Sequence, residues 1–144
     1  MKVVVQRCKN GKVLVDNKIV GKIDNGLMIL VGFTDGDDKE KLEYLAKKIV
    51  NLRIFPDDDG VMNKSVLDIG GKILSVSQFT LYADTKKGNR PSYINALNGE
   101  KSIKLYEEFN NILKEYTEVE TGIFGSDMEV EFTNVGPTTI ILER

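Results

Sequence analysis

Gly26-Leu27-Met28-Ile29-Leu30-Val31-Gly32 decides the fold. Apolar side chains fill the run without polar alternation, the pattern of a strand covered on both faces. Layers on either side are therefore required, and the rest of the chain has the patterns to supply them. Upstream, Val3–Val5, Val13–Val15 and Ile19–Ile23 are runs rich in β-branched residues, separated by Asn10-Gly11, a hairpin signal, and by Asp16-Asn17. Downstream, Asp35 to Asp38 offer caps and negative charge for a helix from about Lys39 to Asn51, with Leu42, Leu45, Ala46 and Ile49 on one face. After the break at Pro56-Asp57-Asp58-Asp59-Gly60, Lys72–Leu81 reads as a strand that begins apolar and ends rich in hydrogen-bonding groups. A second helix is expected from Glu100 to Tyr116, with Ile103, Leu105, Tyr106, Phe109, Ile112 and Leu113 as its apolar positions. Met128, Val130 and Phe132 alternate with polar residues in a strand that is expected to turn at Asn134-Val135-Gly136-Pro137 into Thr138–Leu142. The expected fold is a single α/β domain over residues 1–144, layered β/β/α, with largely antiparallel or mixed sheets and two main helices.

A chain of 144 residues is the size of one domain and can bury a sizeable core without disulfides. With 20 basic and 22 acidic residues the formal charge is −2, which excludes a strongly basic nucleic-acid coat. The chain has no histidine, so Ser-His-Asp triads, Cys-His pairs and histidine-ligated zinc are excluded. Its one cysteine, Cys8, can form neither an internal disulfide nor a thiolate zinc cluster, and a lone thiol fits a reducing cytosol. The apolar run near Met1 is too short for a signal peptide and no stretch is long enough to span a bilayer, so a cytoplasmic location is expected.

Four segments could carry chemistry. Ser77-Gln78-Phe79-Thr80-Leu81 places two hydroxyls and an amide at a strand end, where mixed sheets put their sites. Its plain reading is that threonine favours strands, and Thr80 without a base is a poor nucleophile. Asn134-Val135-Gly136-Pro137 reads as a hairpin turn, with a Gly-Pro bond whose default is trans. Lys86-Lys87-Gly88-Asn89-Arg90 is a cationic loop that could grip phosphates or could simply be solvated. Asp57-Asp58-Asp59-Gly60 lacks the ligand spacing of a calcium loop and reads as a turn, so no metal is assigned.

Taken together these segments resemble the D-aminoacyl-tRNA deacylases, formerly D-tyrosyl-tRNA(Tyr) deacylases, over essentially the whole chain. The resemblance rests on Val5-Gln6-Arg7, Ser77-Gln78-Phe79-Thr80-Leu81, Ala83-Asp84 with Lys87–Ser92, Gly122-Ile123-Phe124-Gly125 with Met128, and Asn134–Thr139. The family's Ser-Gln-Phe-Thr segment is intact; its Asn-x-Gly-Pro-Val-Thr segment has Thr138 in place of the usual valine, and Cys8 stands where an aliphatic residue is typical. The resemblance implies hydrolysis of the ester of D-aminoacyl-tRNA, and of glycyl-tRNA, without metal or cofactor. It implies a homodimer with active sites at the subunit interface, each binding the tRNA acceptor end. Ser77, Gln78, Phe79 and Thr80 would line the catalytic pocket. Gly136 and Pro137, joined by a cis bond and reaching into the partner's site, would reject L-aminoacyl groups. Arg7, Asn134 and Thr139 would support that element, and Lys86, Lys87 and Arg90 would bind tRNA. Thr80 has been proposed as nucleophile; with no histidine to activate it, main-chain donors and the substrate's ribose 2′-hydroxyl are favoured instead. The rival reading is a non-catalytic tRNA- or nucleotide-binding dimeric module, suggested by the missing conventional catalytic side chains.

Overall fold

The computed structural model describes all residues, Met1–Arg144. The elements run β1 (Lys2–Val15), β2 (Lys18–Gly32), α1 (Lys39–Val50), β3 (Phe55–Pro56), β4 (Met62–Lys64), β5 (Lys72–Ser77), α2 (Gly99–Lys114), β6 (Val119–Thr121) and β7 (Glu129–Glu143), with a 3₁₀ turn at Phe79–Tyr82. Five strands form one mixed sheet in the order β6-β5-β2-β1-β7, and β3 pairs with β4 in a separate two-stranded ribbon. Strands β1, β2 and β7 pair antiparallel, whereas β5 runs parallel to both β2 and β6.

Burial along β2 follows the doubly covered pattern. Leu27, Ile29 and Val31 point into a core shared with Leu42, Leu45 and Ile49 of α1 and Tyr106, Phe109 and Leu113 of α2. Met28, one residue out of phase, points the other way into a second cluster with Cys8, Val13, Ile23, Leu74 and Val76. Val13 and Ile23 lie at the far end of the β1-β2 hairpin, so the long antiparallel ribbon bends back over the face of β2 and β5 that the helices leave bare. One sheet thus supplies both β layers of the β/β/α arrangement.

That bend corrects the reading of Asn10-Gly11. The pair does not close a hairpin: β1 runs straight through it, with Asn10 at φ +53° and the register against β7 slipping between Lys9 and Lys12. Gly11 is needed there because a Cβ would stand 2.6 Å from Cys8 Sγ and 3.2 Å from Leu74 Cδ2. The hairpin turn is Asp16-Asn17, both residues at positive φ (49° and 61°) as a two-residue turn between twisted strands requires. The runs Ile19–Ile23 and Gly26–Gly32 belong to one strand.

Two further boundaries move. The strand expected over Lys72–Leu81 stops at Ser77, and the chain curls into the 3₁₀ turn. Asn134–Pro137 is not a hairpin: β7 continues through it as a wide bulge, with Gln6 opposite Thr139 and Cys8 opposite Asn134, so that Arg7 alone faces four residues. Both helices form where expected, within a residue or two. The Asp38 side chain accepts from Lys41 N at 3.1 Å to cap α1, and the Asn98 side chain accepts from Lys101 N at 3.0 Å to cap α2. No helix is long and apolar enough to cross a membrane.

At Gly26 the backbone of β2 lies close against Lys72 of β5. Gly26 sits at φ +145°, and a Cβ would overlap the Lys72 carbonyl oxygen. Gly26→Ala should therefore destabilise the fold by at least ~3 kcal/mol, read as a lowered urea midpoint with unchanged m-value. An alanine variant within ~1 kcal/mol of the parent would contradict this packing.

Candidate active site

The end of β5 opens on a cavity of about 580 Å³ lined mostly by apolar residues. Ser77, Gln78 and Phe79 form one wall, Tyr93, Ala96 and Leu97 another, and Phe124 to Met128 a third. The Ser77 wall is held by its neighbour: Gln78 N donates to Val31 O at 2.7 Å, continuing the β2-β5 ladder one residue beyond the strand. Gly32 makes room, because a Cβ there would lie 2.9 Å from Gln78 O and 3.2 Å from Leu81 Cβ. The chain then closes into the 3₁₀ turn, with Leu81 N on Gln78 O and Ala83 N on Thr80 O. No side chain caps its start, so the first N–H groups of the turn are left to an incoming acceptor.

Thr80 stands just outside the cavity wall. Its Oγ1 accepts from Gln78 Nε2 at 2.6 Å. An amide N–H can orient a hydroxyl but cannot take its proton, and no histidine exists to do so. The geometry therefore provides an oriented Thr80 hydroxyl but no activated nucleophile. Behind the cavity, Tyr106 donates its buried hydroxyl to Ser75 O at 2.7 Å and packs its ring against Phe124 at 5.9 Å. Burial raises the Tyr106 hydroxyl pKa, so it stays protonated as a structural donor. The Cys8 thiol, buried in the second cluster, is pushed up to about 11 and has no part in the cavity.

The second group of expected site residues assembles elsewhere. Arg7 Nε donates to Val135 O and Nη1 to Ile54 O, both at 3.0 Å. This guanidinium fills the β7 bulge. Gly136 is exposed, at φ +122°, and its bond to Pro137 is cis. A Cβ on Gly136 would come within 2.6 Å of both Arg7 Nη2 and Thr138 Oγ1. Gln6 Nε2 and Asn134 Nδ2 each donate to Thr139 Oγ1 at 3.2 Å, and that hydroxyl makes a long contact of 3.4 Å to Pro137 O. Arg7, Asn134, Gly136, Pro137 and Thr139 thus form one local unit.

Within a single chain this unit does not meet the cavity. Ser77, Val31, Val3 and Leu142 share one row across the sheet, whereas the bulge lies beside Arg7, four residues along β1 from Val3. Three strand spacings across and four residues along give a separation of roughly 20 Å. Lys86, Lys87 and Arg90 are exposed on the loop after the 3₁₀ turn, which is pinned by Asp84 and Ser92 exchanging backbone bonds of 2.8 and 2.9 Å. None of the three cations is in an ion pair.

The comparisons with known proteins bear on the family and the fold. The model of the D-Tyr-tRNA(Tyr) deacylase family matches residues 4–143. The chain belongs to that family. A solved structure described as c-Myc DNA Unwinding Element Binding Protein superposes with a TM-score of 0.95 at 38% identity, covering 100% of this chain and 99% of that one. A structure described as a probable eukaryotic D-amino acid tRNA deacylase matches in fold, with a TM-score of 0.83 at 21% identity over 98% of this chain and 97% of that one. The deacylases are hydrolases that act on aminoacyl-tRNA.

Two walls of the cavity were missed as site residues in the sequence, the one of Tyr93, Ala96 and Leu97 and the one from Phe124 to Met128. Phe124-Gly125 and Met128 carry the family resemblance, and Gly125 turns at φ +77° with Ser126 N bonded to Ile123 O. That turn signal could have placed the segment at a pocket edge. Because Gly32 carries no side chain against Gln78, Gly32→Ala should shift the Ser77–Phe79 wall while leaving the core intact. The expected result is a fall in deacylase kcat/KM of roughly a hundredfold with a stability loss of only about 1–2 kcal/mol.

Proposed function

We propose that this chain hydrolyses the ester joining a D-amino acid, or glycine, to the terminal ribose of tRNA, releasing the amino acid and free tRNA. The observation that carries this reading is the cavity at the end of β5, walled by Ser77, Gln78 and Phe79. In that cavity the terminal adenosine and its aminoacyl group would lie against the Ser77–Phe79 wall. Main-chain N–H groups at the start of the 3₁₀ turn would donate to the ester carbonyl and to the oxyanion that develops on it. The attacking water would be held by the substrate's ribose 2′-hydroxyl, and Gln78 and Thr80 would position rather than react. An aminoacyl ester is already activated, so orientation and oxyanion stabilisation can carry the reaction without a metal.

Chirality would be selected by Gly136 and Pro137. Their carbonyls would occupy the space an L side chain needs, and Arg7, Asn134 and Thr139 would hold them in place. Since the unit lies roughly 20 Å from the cavity of its own chain, it would act in the site of a second copy, making the working form a homodimer. A cytoplasmic location would place the enzyme with its substrate.

The deciding experiment follows free tyrosine released from matched D- and L-tyrosyl-tRNA, with and without a chelator. Rapid, chelator-insensitive loss of the D form alone is expected; tRNA binding with no turnover would favour a non-catalytic module. Thr80→Val should lower kcat by less than about a hundredfold, because an oriented hydroxyl is lost and not a covalent nucleophile, whose removal costs far more. Gly136→Ala, which crowds Arg7 and Thr138, should let L-tyrosyl-tRNA be cleaved and reduce D-over-L selectivity at least roughly tenfold. Unchanged selectivity in that variant would remove the Gly-Pro unit from chiral discrimination.

A further inference from the structure

Phe79 and Tyr93 are large aromatic side chains on the cavity wall, yet they remain 55% and 41% exposed. Their rings meet edge to face, with centroids 5.0 Å apart and planes at 69°. Such a contact uses the face of one ring and only the edge of the other, so π surface is left over for a third planar group.

The pair is also held in position before any ligand arrives. Phe79 opens the 3₁₀ turn fixed by Gln78 on Val31. Tyr93 follows the pinned Asp84–Ser92 loop and precedes a turn closed by Ala96 N on Tyr93 O at 3.0 Å. Thr34 Oγ1 anchors the same turn by donating to Asn95 O at 2.6 Å. Ordering entropy is therefore largely settled at this rim.

Charge decides what the rim suits. The molecule carries a net −2, yet Lys86, Lys87 and Arg90 stand exposed and without acidic partners on the loop that leads to Tyr93. Aromatic faces that follow a run of free cations along the chain match unpaired nucleotides, whose bases stack while their phosphates pair with the loop.

Given that the cavity takes the terminal adenosine as proposed above, we propose that Phe79 and Tyr93 form a stacking platform for the unpaired nucleotide immediately before it. The Lys86–Arg90 loop holds the phosphate between the two. The platform makes the enzyme read a single-stranded 3′ end and not merely an aminoacyl-adenosine.

The probe is a short single-stranded RNA ending in the tRNA 3′ sequence, with 2-aminopurine replacing the penultimate base. Wild-type protein should quench its fluorescence on binding. Tyr93→Leu should weaken binding roughly five- to a hundredfold, and Tyr93→Phe, which keeps the ring, should restore it. In turnover, Tyr93→Leu should raise KM for D-tyrosyl-tRNA at least fivefold more than KM for the D-tyrosyl ester of adenosine. Binding that is indifferent to Tyr93→Leu, or lost equally in Tyr93→Phe, overturns the platform. So does a change of oligomeric state on Tyr93→Leu in analytical ultracentrifugation, since the rings would then be covered by a second copy. Tyr93-dependent quenching without deacylation supports the platform while sinking the catalytic reading; deacylation without Tyr93 dependence does the reverse.

Discussion

A strand buried on both faces has nowhere to place a polar side chain, and β2 imposes that constraint on everything around it. Between Leu27 and Val31 its side chains alternate between the helix-backed core and the cluster under the folded-over ribbon. One face demands two amphipathic helices. The other demands that the sheet curve back on itself, which the chain achieves with glycines where strands come closest. Gly26 lies against Lys72, Gly21 against Thr121 and Gly11 against Cys8 and Leu74. Each is a place where a methyl group would force the layers apart.

The cavity follows from this packing. Strand β5 is parallel to β2, so its carboxyl end emerges at the same edge as that of β2, beyond Val31 and Gly32. There the chain can leave the sheet, and the 3₁₀ turn carries hydrogen-bonding groups to the mouth of an otherwise apolar hollow. Segments from before α2 and before β7 complete it. A site without histidine, on a chain whose one thiol is buried and held protonated, fits chemistry in which the substrate is already activated. The deacylase family supplies such a substrate in the aminoacyl ester.

The β7 bulge shows how a local sequence signal can be right about a bend and wrong about its consequence. Asn134-Val135-Gly136-Pro137 has turn chemistry and does interrupt the regular ladder. It does not reverse the chain, because β1 continues alongside and Arg7 reaches into the bulge to satisfy Val135 O and Ile54 O. Asn10-Gly11 behaves alike: positive φ at Asn10 is used for a bend within β1, since the strand facing it is β2 and not a returning arm of β1. A dipeptide states which dihedrals are cheap; the partner strand settles whether they make a turn or a bulge.

By itself the sequence determined the doubly covered strand, both helices with the capping segment Asp35–Asp38 of the first, the reversal at Asp16-Asn17, and a β5 strand that ends in hydrogen-bonding groups. These rest on periodicity, capping and backbone preference, which act over a few residues. Only the tertiary structure decided that one sheet forms both β layers, that Tyr93 and Phe124–Met128 wall the cavity, that Thr80 stands outside it, and that the Gly136-Pro137 unit lies far from it within one chain. Those are consequences of long-range pairing register and of close approach at glycines, where the interacting residues are tens of positions apart and no local pattern encodes the distance.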